Sequence, residues 1–263
     1  MLAHHFHAQI LMLHVATQLS HAAGVPETRR ELASWDLLTA IIREAQKRQD
    51  QCLGSDLAGL SIQRILGDGD TAQTIIQTAE TEHADLIMMP SFGFTFDQFL
   101  LGSVTGKLSN SAACPVWTDA HVEETGVRQF AARNILCAVD LGPRSRNAVL
   151  WTAQFAAEFG ARVTLAHVTA AVELWGPGGW YINEAWKKEL ISSASRRIAE
   201  LQQDTGVVTE VFIGSGDVPR VLSQAVEQTG ANLLVTGTYP YGGRLRTYGY
   251  GIICAVSIPV LSV

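Results

Sequence analysis

Ala231-Asn232-Leu233-Leu234-Val235-Thr236 repeats the pattern of Ala84-Asp85-Leu86-Ile87-Met88-Met89. Each is a short apolar run that leads into a glycine-bearing loop. Each loop leads in turn to a second apolar run carrying a proline, Ile258-Pro259-Val260-Leu261 and Cys114-Pro115-Val116-Trp117. Further out, Gly67-Asp68-Gly69-Asp70 answers Gly214-Ser215-Gly216-Asp217, and Leu13-His14-Val15 answers Ala166-His167-Val168. A repeat of this length sets the architecture before any local detail does. The chain carries two copies of one α/β unit.

The second copy reads clearly. Residues 134–139 form an apolar strand ending at Asp140, and Gly142-Pro143 turns the chain. Residues 145–159 have helical spacing and stop at Gly160. Residues 162–168 form the next strand, and 170–181 read as a loop punctuated by Gly176-Pro177-Gly178-Gly179. Asn183 caps a long helix that Gly206 ends, and 207–213 form a third strand. Asp217 and Pro219 open another helix, and strands follow at 231–236 and 259–263. Strands apolar on both faces, alternating with helices, predict a parallel sheet covered on both sides.

The first copy gives the same series from its second strand onward. Strands are expected at 9–15, 61–66, 86–89 and 115–118, and helices at 29–51, 71–82 and 103–111. The expected domains are 1–118 and 133–263, joined by a linker at 119–132. Met1 to His7 reads as the tail of a helix. The opening strand of this copy is not in the sequence, and that strand is central in a sheet of order 3-2-1-4-5. Its two neighbours would then show unpaired backbone. The expectation is that roughly 20 residues belong upstream, the length of a strand and most of a helix.

Composition bounds the function classes. At 263 residues, 47% hydrophobic and 17% charged, the chain suits two globular domains. The net charge of −6 comes without a basic stripe and argues against a nucleic-acid partner. No apolar run approaches the ~20 residues that span a bilayer. Cys52, Cys114, Cys137 and Cys254 are scattered, which predicts free, buried thiols in a reducing cytoplasm. His4, His5, His7 and His14 lack carboxylate or cysteine companions at ligand spacing, so no metal is expected. Trp175, Trp180, Tyr181 and Trp186 cluster around the loop after the second strand, where packing over the sheet end is expected ahead of the alternative, a partner-facing patch.

Chemistry is expected beyond the carboxyl ends of the strands, where the strand order reverses. In the segment from Pro90 to Thr105, Gly93 permits a close turn and Gly102 opens a helix. Ser103 and Thr105 add hydroxyls there. Free amides at a helix N-terminus favour phosphate. No Walker lysine is present, so this is no P-loop.

These residues together resemble the universal stress protein family. The first copy is similar from Ala84 to Val116. The second is similar throughout, from Ile135-Leu136-Cys137-Ala138-Val139-Asp140 to Ile258-Pro259-Val260-Leu261-Ser262-Val263. The resemblance implies a tandem protein with a five-stranded, Rossmann-like parallel sheet in each complete domain. It also implies pairing of the domains through their last strands, an internal pseudo-dimer that can itself dimerise.

Nucleotide-binding members of the family carry glycine, two residues, glycine, nine residues, then glycine with serine or threonine. Those residues hold ATP phosphates, while the acid after the first strand and the valine ending the second contact the nucleoside. Carried over, the resemblance assigns Val15, Gly93, Gly102, Ser103 and Val104 in the first copy. In the second it assigns Asp140, Val168 and Gly237.

Both copies depart from the pattern. Pro90 replaces the first glycine, and eight residues rather than nine separate Gly93 from Gly102. Pro240 stands where the second copy needs a glycine, and Gly242-Gly243-Arg244-Leu245-Arg246-Thr247 replaces the Gly-Ser helix start. The two arginines suit a phosphate or a solvated surface. The resulting expectation is a non-enzymatic stress-response protein with degenerate ATP binding, acting by regulation or protein contacts. The alternative is a hydrolase of the related adenine-nucleotide hydrolase group. Such a hydrolase has a serine- and glycine-rich first loop, whereas this chain has Leu141-Gly142-Pro143-Arg144-Ser145.

Overall fold

A computed structural model describes residues 2–16, 47, 59–90, 103–119, 130–170, 173–176, 179–182, 184–237 and 244–263. They fall into two compact units. The smaller contains a short helix α1 (Leu2–His5), strands β1 (Ile10–Ala16) and β2 (Ile62–Asp68), and helix α2 (Thr71–Thr81). β1 and β2 are parallel, with Ile10 opposite Ile62 and Ala16 opposite Asp68. α2 starts where its sequence says it should. Asp70 is the N-cap, and its carboxylate accepts the Gln73 N–H at 3.0 Å.

The larger unit begins with β3 (Ile87–Pro90), α3 (Ser103–Ser111) and β4 (Val116–Asp119). It continues with β5 (Asn134–Ala138), α4 (Ser145–Phe159), β6 (Arg162–Thr169), β7 (Glu173–Gly176) and β8 (Gly179–Ile182). The chain ends with α5 (Glu184–Thr205), β9 (Glu210–Ser215), α6 (Val218–Thr229), β10 (Leu233–Thr236), α7 (Arg244–Ala255) and β11 (Val260–Ser262). Seven of these strands form one sheet in the order β3-β4-β11-β10-β5-β6-β9.

From β9 to β11 this is the expected 3-2-1-4-5 order of the second copy. Every pair is parallel except β4 with β11. That pair is the expected contact between last strands: Trp117 lies opposite Leu261 and Thr118 opposite Val260. Thr118 Oγ1 donates to the Val260 carbonyl at 3.1 Å, so a buried hydroxyl closes the seam.

Both faces of the second copy's part of the sheet are covered. On one, Leu136, Ala138, Ala166, Leu234 and Val260 pack against Leu222, Ala225 and Val226 of α6, Ile252 and Ile253 of α7, and Val256 just past α7. On the other, Cys137, Val139 and Leu165 meet Ala148 and Val149 of α4 and Ile198 of α5. β10 is buried along its whole length, which explains its unbroken apolar run.

The repeat recurs in backbone geometry. Asp217 caps α6 as Asp70 caps α2, with Pro219 in the first turn, and the preceding Gly69 and Gly216 have φ of +109° and +130°. Gly67 and Gly214 are glycine for a second reason. A Cβ on either would collide with the following helix, at Thr74 Cγ2 and at Val221 Cγ1.

Three expectations differ from the structure. The stretch read as a loop at 170–181 contains an antiparallel hairpin, β7 with β8, pairing Trp175 with Trp180 and Gly176 with Gly179. Two aromatic, β-prone runs separated by only Pro177-Gly178 suit a hairpin better than an open loop. β9 starts at Glu210 rather than 207. Residues 207–209 belong to the turn leaving α5, where the Val207 N–H meets Thr205 Oγ1 and Gln202 Nε2 donates to the Thr209 carbonyl. Cys254 is exposed, whereas Cys137 is buried as expected. The helix expected at 29–51 and the cap at Asn183 lie outside the described residues, apart from Lys47.

Candidate functional site at the strand ends

From β5 the chain steps through β6 to β9 on one side, then crosses back to β10 on the other. The strand order therefore reverses between β5 and β10, and the crevice beyond their carboxyl ends is where an open parallel sheet receives a ligand. The three residues assigned in the second copy each lie at or near a strand end on this side. Gly237 directly follows β10, Asp140 lies just past β5, and Val168 is near the end of β6, opposite Gly214 of β9.

The loop after β5 is closed on itself. Asp140 Oδ1 accepts the Gly142 N–H at 2.8 Å and the Ser145 hydroxyl at 3.1 Å. A short acidic side chain bonding the backbone two residues on is an Asx turn. A Cβ on Gly142 would lie 2.9 Å from Asp140 Oδ1, so any larger residue there would push the carboxylate out of this turn. Leu141 takes a left-handed φ of +59°, and its carbonyl accepts from the Arg197 guanidinium of α5. His167 Nδ1 lies 2.8 Å from the Val139 carbonyl, at the end of β5. Asp140 thus holds both the turn and the first residue of α4.

Sequence reasoning assigned Asp140 but missed Ser145 as its donor and His167 and Arg197, which bond the carbonyls of Val139 and Leu141 on either side of it. Ser145 was legible as a hydroxyl five residues on. Arg197 was not, since it comes from a helix far along the chain.

On the β10 side, the Thr236 carbonyl accepts the Val263 N–H at 2.9 Å, and Thr236 Oγ1 lies 3.5 Å from Ser262 Oγ. Thr236 and Ser262 are buried. Past Gly237 the chain re-enters the described residues at Arg244, the first residue of α7; the side chains of Arg244 and Arg246 are outside the description.

In the first copy, Val15 lies near the carboxyl end of β1, opposite Gly67 in the smaller unit. Ser103 and Val104 open α3 in the larger unit, and Val104 is half-buried. Pro90 ends β3, while Gly93 and Gly102 are outside the described residues.

Comparison with known proteins supports the repeat reading. The universal stress protein family model matches residues 1–118 and again 131–247. Universal stress protein A of Escherichia coli K12 is 29% identical over 137 residues, 51% of this chain and 95% of its own length. A universal stress protein of Methanocaldococcus jannaschii is 30% identical over 120 residues, 44% of this chain and 66% of its own length.

A universal stress protein structure from Archaeoglobus fulgidus superposes with a TM-score of 0.62 at 20% identity. The match covers 97% of this chain and 85% of that one. A second structure, a putative universal stress protein from Pseudomonas aeruginosa, gives 0.58 at 18% identity, over 97% and 92%. At such identity the structures speak for the fold, and the two family matches along one chain speak for descent. The chain belongs to the universal stress protein family.

Proposed function

We propose that this chain is a non-catalytic regulator of the stress response, acting through protein contacts. In this reading a residual adenine-nucleotide crevice survives at the strand ends of the second copy, and the protein works in the cytoplasm. The state of Asp140 carries the proposal. The carboxylate that a nucleoside would recruit already accepts a backbone and a hydroxyl hydrogen bond within its own loop. Hydrogen bonds to a charged group contribute about 1.5–3 kcal/mol each. Displacing one weakens a ligand by roughly ten-fold or more. Pro240 replaces a loop glycine whose backbone would approach the phosphates, which weakens the site further.

Titration calorimetry of the full chain with ATP tests this. The expected dissociation constant is above roughly 100 μM, with no phosphate released over hours. Binding at low micromolar concentration would overturn the weak-crevice reading. Nucleotide-dependent phosphate release that disappears in Asp140→Ala would overturn the non-catalytic one.

A further inference from the structure

We infer that Arg197 is a latch on the crevice of the second copy, a positioning residue that keeps the Asp140 carboxylate folded onto its own loop. One peptide group carries the inference. The Leu141–Gly142 peptide is bonded at both ends: its carbonyl accepts from the Arg197 guanidinium, and its N–H donates to Asp140 Oδ1 at 2.8 Å. The peptide is trans, so its C=O and N–H point in opposite directions. Arg197 and Asp140 therefore hold one rigid plane from its two sides, and turning that plane breaks both bonds together.

The plane is held in a conformation that leucine does not favour. Leu141 has a φ of +59°, in the left-handed region where a Cβ crowds the following carbonyl. A residue stays there only where its surroundings over-determine it. Here the surroundings come largely from α5. The Leu141 side chain packs on the cluster that contains Ile198, the neighbour of Arg197. Arg197 is itself exposed, but Ala194 and Ile198 beside it on α5 are buried and fix the helix from which its guanidinium reaches out.

The consequence is a loop with two states. In the closed state Asp140 accepts from Gly142 and from Ser145. A ligand that recruits this carboxylate has to take it from the Gly142 N–H. While Arg197 holds the carbonyl of the same peptide, that N–H cannot turn to another partner. Without Arg197 the plane can rotate, Leu141 can return to a right-handed or extended conformation, and Asp140 is released. Arg197 thus opposes binding at Asp140, and by linkage a ligand at Asp140 loosens Arg197 by the same factor. The inference takes its ligand from the weak nucleotide crevice proposed above, but the latch is a property of the free chain.

Hydrogen exchange of the Gly142 amide, followed by nuclear magnetic resonance on the full chain without nucleotide, tests the latch. Arg197→Met keeps an unbranched, helix-forming side chain and removes the donors. Gly142 exchange should quicken by at least about three-fold. The Leu165 amide, in the core strand β6, should not change. Arg197→Lys keeps a donor and should return Gly142 towards its original rate. Titration calorimetry then reads the ligand: Arg197→Met should bind ATP roughly three- to ten-fold more tightly than the unaltered chain.

Gly142 exchange indifferent to Arg197→Met would overturn the latch. So would a quickening shared equally by Leu165, which marks a general loss of stability. Faster Gly142 exchange with ATP bound no more tightly overturns the hold on Asp140. If ATP binds neither protein, it is the nucleotide reading that fails, and the Gly142 rates alone decide for or against the latch.

Discussion

At the residue scale, two buried or half-buried groups carry testable weight. Asp140 holds the loop after β5 through two hydrogen bonds to Oδ1. Asp140→Ala removes both and leaves Leu141 in its left-handed conformation without that restraint. The expected loss is about 1–3 kcal/mol of unfolding free energy, read by urea titration. Asp140→Asn keeps an acceptor oxygen and should recover much of the loss.

Cys137 is wholly buried, and burial pushes its thiol up to about 11 from an ordinary 9.0, opposed by the hydroxyl of Thr152 at 3.4 Å from Sγ. A raised folded-state value means the folded protein holds this proton more tightly than the unfolded chain does. The stability it confers is present below about pH 9 and is lost as pH rises towards about 11. Cys137→Ala should flatten that part of the pH–stability curve. In the native protein at pH 8, Ellman's reagent should label the exposed Cys254 and spare Cys137 until the chain unfolds.

At the scale of elements, the glycines separate into those the packing requires and those it does not. Gly214 sits beneath α6, and a Cβ there would strike Val221. Gly214→Ala is expected to cost about 1–3 kcal/mol by overpacking. Gly249 lies inside α7 with open space around it. Gly249→Ala should stabilise by about 0.5–1 kcal/mol, since alanine loses less backbone entropy in a helix. Opposite signs at these two glycines, measured by thermal denaturation, check the helix–strand geometry more sharply than either alone. If Gly214→Ala is neutral, α6 does not pack on β9 as closely as described.

At the scale of the whole molecule, the seam between β4 and β11 makes seven strands one sheet. Trp117 and Leu261 face each other across it, and both are buried. Leu261→Ala should cost about 2–5 kcal/mol. The chain has 6 tryptophans, so in a variant that keeps Trp117 and carries phenylalanine at the others, emission reports the first copy's strand and should shift in the same denaturant range as the loss of far-ultraviolet dichroism. Two separated transitions would show that the seam does not couple the strands.

By itself, the sequence determined the unit and its repetition. Apolar runs in period with helices, the Asp217 cap before α6 and the left-handed stop at Gly160 are local chemistry, legible within a few residues. The family resemblance assigned Asp140, Val168 and Gly237, and the structure puts them at or near the carboxyl ends of β5, β6 and β10. What only the tertiary structure decided is how distant segments meet. The tether from Arg197 to the Leu141 carbonyl and the hydroxyl of Thr118 on Val260 join residues far apart in the chain. So did the division of the first copy's strands, with β1 and β2 in one unit and β3 and β4 in the other. Pairing between strands is a choice among distant partners of similar apolar chemistry, and a linear pattern that names a strand does not name its neighbour.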